Sequence, residues 1–122
     1  MQVGQAREIG MNRYVIDGIT RDAQAGKRVI CAIPSREVQH IITRLERASG
    51  ISLLRRSHGD ERVMFTSGGG IIFVHPERGG GRGHSADIVV IDDVYYLDQM
   101  FRLHADLKAI VAAASGEIIT YT

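Results

Sequence analysis

A run of apolar residues that ends in two carboxylates constrains the fold of this chain more than any other feature. Ile88–Ile91 is apolar at every position, and Asp92 and Asp93 follow directly. A strand that is apolar on both faces lies inside a sheet that is covered on both sides. The two acids then lie at the carboxyl edge of that sheet, where open α/β sheets bind their ligands. The sequence therefore predicts an α/β fold in which Asp92 and Asp93 mark a candidate site.

The composition is that of an ordinary globular protein. The chain has 122 residues, 44% of them hydrophobic and 24% charged, which fits a single domain over residues 1–122. A net charge of +1 gives no global field that would favour nucleic acid or a membrane surface. No apolar stretch approaches the roughly 18 residues of a membrane span, and the N-terminus has no apolar signal core. We therefore expect a cytoplasmic protein without membrane contact.

The single cysteine, Cys31, lies in the apolar run Val29–Ile33. A lone cysteine cannot form an internal disulfide, and an apolar setting favours a small buried hydrophobe over a reactive thiol. The histidines show no metal-ligand spacing. The composition therefore offers neither a thiol nucleophile nor a histidine metal site.

Apolar periodicity and turn residues predict alternating helices and strands. The predicted helices run from Asn12 to Ala25, from Ser35 to a closing Gly50, and from Asp98 to Gly116. The predicted strands are Arg28–Ile33, Ile51–Leu54, Arg62–Thr66, Gly70–His75, Asp87–Ile91 and Glu117–Tyr121. The third and fourth strands form a hairpin through Ser67-Gly68-Gly69. This alternation predicts a mainly parallel sheet flanked by helices, with a β-hairpin insertion.

Two polar segments leave alternatives open. Arg55, Arg56, His58 and Arg62 form a basic cluster that suits a phosphate backbone, although the near-zero net charge favours a solvated face. The glycine-rich segment 79–83 suits anion binding through backbone N–H groups, or is simply a mobile loop.

Three segments together resemble the ATPase core of phage terminase large subunits, within the P-loop NTPase superfamily. Lys27–Ser35 resembles the second core strand and its exit turn, Ser67–Phe73 resembles the family's hairpin, and Arg82-Gly83 followed by Asp87–Asp93 resembles its signature of Arg-Gly, Asp, four apolar residues and Asp-Glu. Acid-tipped apolar strands occur throughout P-loop ATPases, and the preceding Arg-Gly favours terminases among them. The resemblance covers most of residues 12–122 and implies a truncated P-loop NTPase-like fold.

The chain departs from that family in three respects. No Gly-x-x-x-x-Gly-Lys-[Ser/Thr] loop occurs, and Met11 and Asn12 stand where its lysine and hydroxyl residue would be. The acidic pair is Asp-Asp and not Asp-Glu. The sequence ends before any nuclease domain, so we expect no DNA cleavage.

The resemblance implies specific roles for four residues. Asp92 is the candidate Mg²⁺ ligand, and Asp93 is the candidate catalytic base, although it is one methylene shorter than glutamate. Arg82 and Arg13 are the candidate phosphate-binding residues, with Arg82 also a candidate partner of Asp87 or Asp92. Without the phosphate loop, we expect neither tight binding of Mg²⁺ and ATP nor ATP hydrolysis by this chain alone. The alternative is that both aspartates are strand-end residues that bond to neighbouring loops.

The implied function is a degenerate terminase-like ATPase-core domain, associated with DNA packaging in the host-cell cytoplasm. The alternative is a catalytically inactive interaction or regulatory module that acts through protein–protein contacts. By resemblance, the missing phosphate-loop strand would lie beside Glu117–Tyr121, so its loss leaves an open sheet edge. We expect residues 1–10, a second copy or a partner's strand to cover that edge. Nucleic acid stays an alternative partner.

Overall fold

The computed structural model describes residues 13–33, 35–57, 59–74, 86–92 and 117–121. These residues form the helices α1 (Arg13–Gln24) and α2 (Ser35–Leu45) and the strands β1 (Arg28–Ala32), β2 (Ile51–Arg55), β3 (Arg62–Phe65), β4 (Gly70–Val74), β5 (Ile88–Asp92) and β6 (Glu117–Tyr121). Every predicted strand is confirmed to within one or two residues. Helix α2 ends at Leu45, before the turns that lead to Gly50. The predicted helix from Asp98 to Gly116 lies outside the described residues.

The six strands form one sheet in the order β2-β3-β4-β1-β5-β6. Strand β1 runs parallel to both of its neighbours, β4 and β5, and β5 also runs parallel to β6. Strand β3 runs antiparallel to both β2 and β4. The acid-tipped strand β5 therefore lies inside the sheet, between two parallel partners.

The α/β class and the hairpin are confirmed, but the prediction of a mainly parallel sheet is wrong, because the sheet is mixed. The physical reason lies in the connections between β2, β3 and β4. Residues 56–61 and 66–69 are all that link these strands. Antiparallel strands can be joined by so short a loop, whereas a parallel crossover needs a dozen or more residues. This half of the sheet is consequently an antiparallel meander.

The inner strands β1, β4 and β5 are buried on both faces of the sheet. Alternate residues of a strand point to opposite faces, so each of these three strands contributes to two apolar clusters. The first cluster holds Val29, Cys31, Ile71, Phe73, Ile88 and Val90 together with the inner residues of α1 and α2. The second holds Ile30, Ala32, Val74, Ala86, Val89 and Ile91. This pattern confirms that the apolar run of β5 is covered on both sides.

The inner faces of the two helices are those that the sequence periodicity predicts. Ile16, Ile19 and Ala23 of α1 are buried, as are Val38, Ile41, Ile42 and Leu45 of α2. Helix α1 joins β1 through only three residues and packs on β1 and β4, so it runs opposite to them. Helix α2 begins after the carboxyl end of β1 and runs in the same direction as α1, opposite to β1. Both helices therefore begin near the carboxyl edge of the parallel strands.

Candidate functional site

The carboxyl ends of the parallel strands are aligned closely by their register. Ala32 at the end of β1 is paired with Val74 of β4 and with Ile91 of β5. One residue further along, Asp92 is paired with Tyr121 of β6. In an open α/β sheet this edge is the usual place for a ligand. It is the candidate functional site of this chain.

The structure describes two of the four predicted site residues. Asp92 is the last residue of β5, which agrees with its predicted position at the carboxyl tip of an interior strand. Arg13 is the first residue of α1, and the direction of that helix places it towards the same edge. Asp93 and Arg82 lie outside the described residues. The topology thus brings Asp92 and Arg13 to one end of the sheet.

Glu61 is a residue of this edge that sequence reasoning missed. It is 1% exposed and is the sole buried charged residue of the described part of the chain. Its Oε1 accepts a hydrogen bond of 3.0 Å from Gly59 N. Its carbonyl oxygen accepts one of 3.1 Å from Phe73 N, which fixes it beside the carboxyl end of β4.

A signal for the burial of Glu61 does exist in the sequence. Glu61 lies two residues before Val63 and four before Phe65, both of which are on the buried face of β3. Extending the strand pattern back by two residues places Glu61 on that face. The signal was hidden because Glu61 belongs to the polar segment Arg55–Arg62, where charged side chains are ordinarily solvated.

The described residues at this edge do not complete a magnesium site. Mg²⁺ is usually held by one or two carboxylates together with phosphate oxygens. Asp92 and Glu61 stand three strand spacings apart, or about 14 Å, so they cannot share an ion. Across the described ranges, no group of three or more His, Cys, Asp or Glu side chains lies close enough to hold a metal.

The predicted basic cluster is largely neutralised by acids. Arg62 Nε donates a hydrogen bond of 3.0 Å to Asp60 Oδ1, and Arg55 donates one of 3.1 Å to Oδ2 of the same carboxylate. Arg56 pairs with Glu46 at 2.6 Å. The hydrogen bond from Arg62, followed by that from Arg55, lowers the pKa of Asp60 from its ordinary value. These ion pairs favour the solvated face over the phosphate-binding interpretation of the cluster. His58 lies outside the described residues.

Asp87 and Cys31 complete the description of the predicted residues. Asp87 Oδ2 accepts a hydrogen bond of 2.9 Å from Arg28 N, so at least one of its oxygens has a partner within the sheet. Cys31 is fully buried, and that burial raises the pKa of its thiol. The interpretation of Cys31 as a small core residue is confirmed.

Comparison with known proteins adds no relative. No protein-family model, no curated protein and no solved structure matches the chain. Neither helix of the described part is both long and apolar enough to cross a membrane. The arrangement of the described residues is therefore the basis for any functional proposal.

Proposed function

We propose that this chain is a degenerate ATPase-core domain, similar to that of phage terminases and associated with DNA packaging. One observation carries the proposal: β5 lies between β1 and β6, parallel to both, and ends at Asp92. An NTPase needs an acid at this point to hold the magnesium of its nucleotide. The phosphate loop is absent from the sequence. The proposed activity is accordingly weak binding of Mg²⁺-nucleotide without hydrolysis by this chain alone.

The proposed roles come from the resemblance to the terminase ATPase core, and the place of Asp92 and Arg13 at the carboxyl edge supports them for those two residues. Asp92 and Asp93 would face the metal and the attacking water, and Arg13 and Arg82 would contact phosphate oxygens. Backbone N–H groups and a lysine ordinarily supply most of the phosphate contacts in such sites. Since the sequence lacks that lysine, the affinity for nucleotide is expected to be low, at the millimolar level of about −4 kcal/mol in binding free energy.

A thermal-shift titration with Mg²⁺-ATP tests this proposal. A ligand that binds only the native state stabilises it by RT ln(1 + [L]/Kd), so about 5 mM nucleotide at a Kd of about 1 mM adds roughly 1 kcal/mol. For a domain of this size, the melting temperature should rise by about 3–5 °C. Asp92→Asn should abolish the rise. Asp22→Asn is a matched control, because Asp22 lies near the end of α1 and at the opposite edge of the sheet.

The outcome separates the proposal from its alternative. If the rise in melting temperature persists in Asp92→Asn, the nucleotide binds elsewhere. If the wild type shows no rise, the chain has no nucleotide site. In the second case the interaction module becomes the better proposal.

One observation favours it already: among the described strands, β6 pairs with β5 alone, so the sheet has an edge there. Light scattering across a concentration series tests self-association through that edge, and a constant monomer mass would contradict it.

A further inference from the structure

Helix α2 carries a row of basic side chains along its outer face. Arg36, His40, Arg44 and Arg47, the last in the turn that follows the helix, are spaced by four, four and three residues. At 100° per residue they fall within an arc of about 80°, so they form one stripe. All four residues are exposed. We call them the α2 stripe.

The α2 stripe points away from the body of the protein. The buried residues Val38, Ile41, Ile42 and Leu45 lie on the opposite side of the helix and hold it against the sheet. From Arg36 to Arg47 the stripe extends about 16 Å along the helix axis. Its position is therefore fixed by packing, and its charges are presented together on a rigid element.

The charges of the α2 stripe are not cancelled as those of the neighbouring arginines are. Arg55, Arg56 and Arg62 are engaged by Asp60 and Glu46. Within the described ranges, no ion pair involves Arg36, Arg44 or Arg47. Glu37 borders the stripe in the first turn of α2, where a carboxylate is favoured by the helix dipole. Among the described residues, the stripe therefore presents three arginines beside one carboxylate, although the whole chain has a net charge of only +1.

We propose that the α2 stripe binds the phosphate backbone of a nucleic acid. Guanidinium groups bind phosphate oxygens through two parallel hydrogen bonds, which favours arginine at phosphate contacts. One strand of duplex DNA presents a charge about every 3.4 Å, so a 16 Å stripe faces several phosphates at once. The exposed positions of α2 carry no apolar side chain that would anchor a protein partner.

The binding is independent of base sequence. The helix is packed on the sheet along its inner side, so only its outer stripe is available. Contacts to phosphate set position and affinity but carry no base information by themselves. With three arginines, the logarithm of the affinity should fall with the logarithm of salt concentration with a slope of about −2 to −3. The binding surface uses neither Asp92 nor Asp93, so it stands or fails separately from the nucleotide site.

Fluorescence anisotropy at low salt tests the proposal with a labelled DNA of about 20 nucleotides, as single strand and as duplex. The paired substitution Arg36→Gln with Arg44→Gln should weaken binding at least tenfold and reduce the salt slope by about 1.4 to 1.8. Arg36→Lys with Arg44→Lys keeps the charge and should recover most of the affinity. The matched control is Arg21→Gln with Lys27→Gln, which removes two exposed charges that are not part of the stripe and should change binding less than threefold.

Several results would overturn the proposal. These are no binding to either DNA at low salt, an equal loss in the control pair, or a salt slope that the paired substitution leaves unchanged. Polyglutamate of similar length is the competing acidic polymer. If it binds as tightly as DNA and responds equally to the paired substitution, the stripe is a site for acidic proteins instead. Circular dichroism and thermal melts of all variants verify that these exposed substitutions leave the fold intact.

Discussion

Arg28 and Asp87 exchange two hydrogen bonds at the start of adjacent parallel strands. Arg28 N donates to Asp87 Oδ2, and Asp87 N donates to the carbonyl oxygen of Arg28, each at 2.9 Å. The pair lies one step ahead of the register in which Val29 faces Ile88. The pair therefore sets the register of β5 against β1, and with it the position of Asp92 at the carboxyl end of β5.

Replacing Asp87 tests this link. Asp87→Ala removes the acceptor of the Arg28 N–H group and should lower the free energy of unfolding by about 1 kcal/mol. Asp87→Asn keeps an acceptor oxygen in the same place and should cost clearly less. Urea unfolding of both variants measures the difference. Equal losses would mean that the negative charge, and not the hydrogen bond, is what stabilises the strand start.

The turn before β4 leaves no room for a side chain at Gly69. A Cβ there would lie 2.6 Å from the carbonyl oxygen of Lys27 and closer still to that of Ala23. Both are backbone atoms, one in the last turn of α1 and one in the turn between α1 and β1, and neither can easily move. Ser67 Oγ, which donates to the same Ala23 oxygen at 2.7 Å, ties the two turns together.

We therefore expect opposite effects from the same substitution at two glycines. Gly69→Ala should destabilise the protein by about 2–3 kcal/mol, because the hairpin turn must move off the α1–β1 turn. Gly18→Ala should stabilise it by up to about 1 kcal/mol, because Gly18 is inside α1 and a Cβ there meets nothing within 4 Å. Thermal unfolding of the two variants side by side measures both. A neutral Gly69→Ala would contradict the contact between the turns.

The sequence predicted the elements well because their signals are local. The apolar stripe Val38, Ile41, Ile42 and Leu45 marks the inner face of α2 without knowledge of its partners, and all four residues are buried. The uninterrupted run of β5 similarly predicts burial on both faces. Gly26 directly follows the predicted helix end at Ala25, and its φ of 100° is the left-handed conformation that glycine commonly adopts after a helix.

What the sequence could not predict depends on pairing between distant segments. The register of β2 on β3, including a shift between Ile51 and Leu53, is set by how the two strands dock, and apolar periodicity carries no such information. The partner of Arg56 is Glu46, on a different element. The candidate site shares this limit: Asp92 was placed by a local pattern, whereas the burial of Glu61 depends on strand pairing.

The lowered pKa of Asp60 predicts a pH dependence of stability. A carboxylate whose folded pKa lies below its unfolded value of about 3.9 stabilises the folded state above that pH. The contribution is lost as the pH falls through the lowered folded value. Asp60→Asn should therefore be less stable than the wild type at neutral pH. The difference in free energy of unfolding between the two proteins should become smaller below about pH 4. Urea midpoints from pH 7 to pH 3 measure it.

A matched aspartate gives the control for that experiment. Asp17 is exposed on α1 and takes part in no ion pair within the described ranges. Asp17→Asn should show no comparable narrowing against the wild type. If the stability difference between Asp60→Asn and the wild type stays constant down to pH 3, the hydrogen bonds from Arg62 and Arg55 to Asp60 do not form in solution.

Arg56 connects the end of β2 to one side of α2. Its guanidinium donates to Thr43 Oγ1 at 3.2 Å and to Glu46 Oε2 at 2.6 Å, and its carbonyl oxygen accepts from Gln39 Nε2 at 3.1 Å. The side chains of Arg56 and Glu46 are 38% and 46% exposed, so water screens their attraction. The ion pair itself should therefore contribute less than about 1 kcal/mol.

A double-mutant cycle separates the ion pair from the rest of this connection. Arg56→Ala should cost about 1 kcal/mol, because the bonds to Thr43 and Glu46 are both lost. Glu46→Ala should cost less, and the coupling energy between the two should be about 0.5 kcal/mol at low salt and smaller at 1 M salt. Urea unfolding of the four proteins supplies the numbers. A coupling energy above about 2 kcal/mol would mean that the pair is shielded from solvent far more than its exposure indicates.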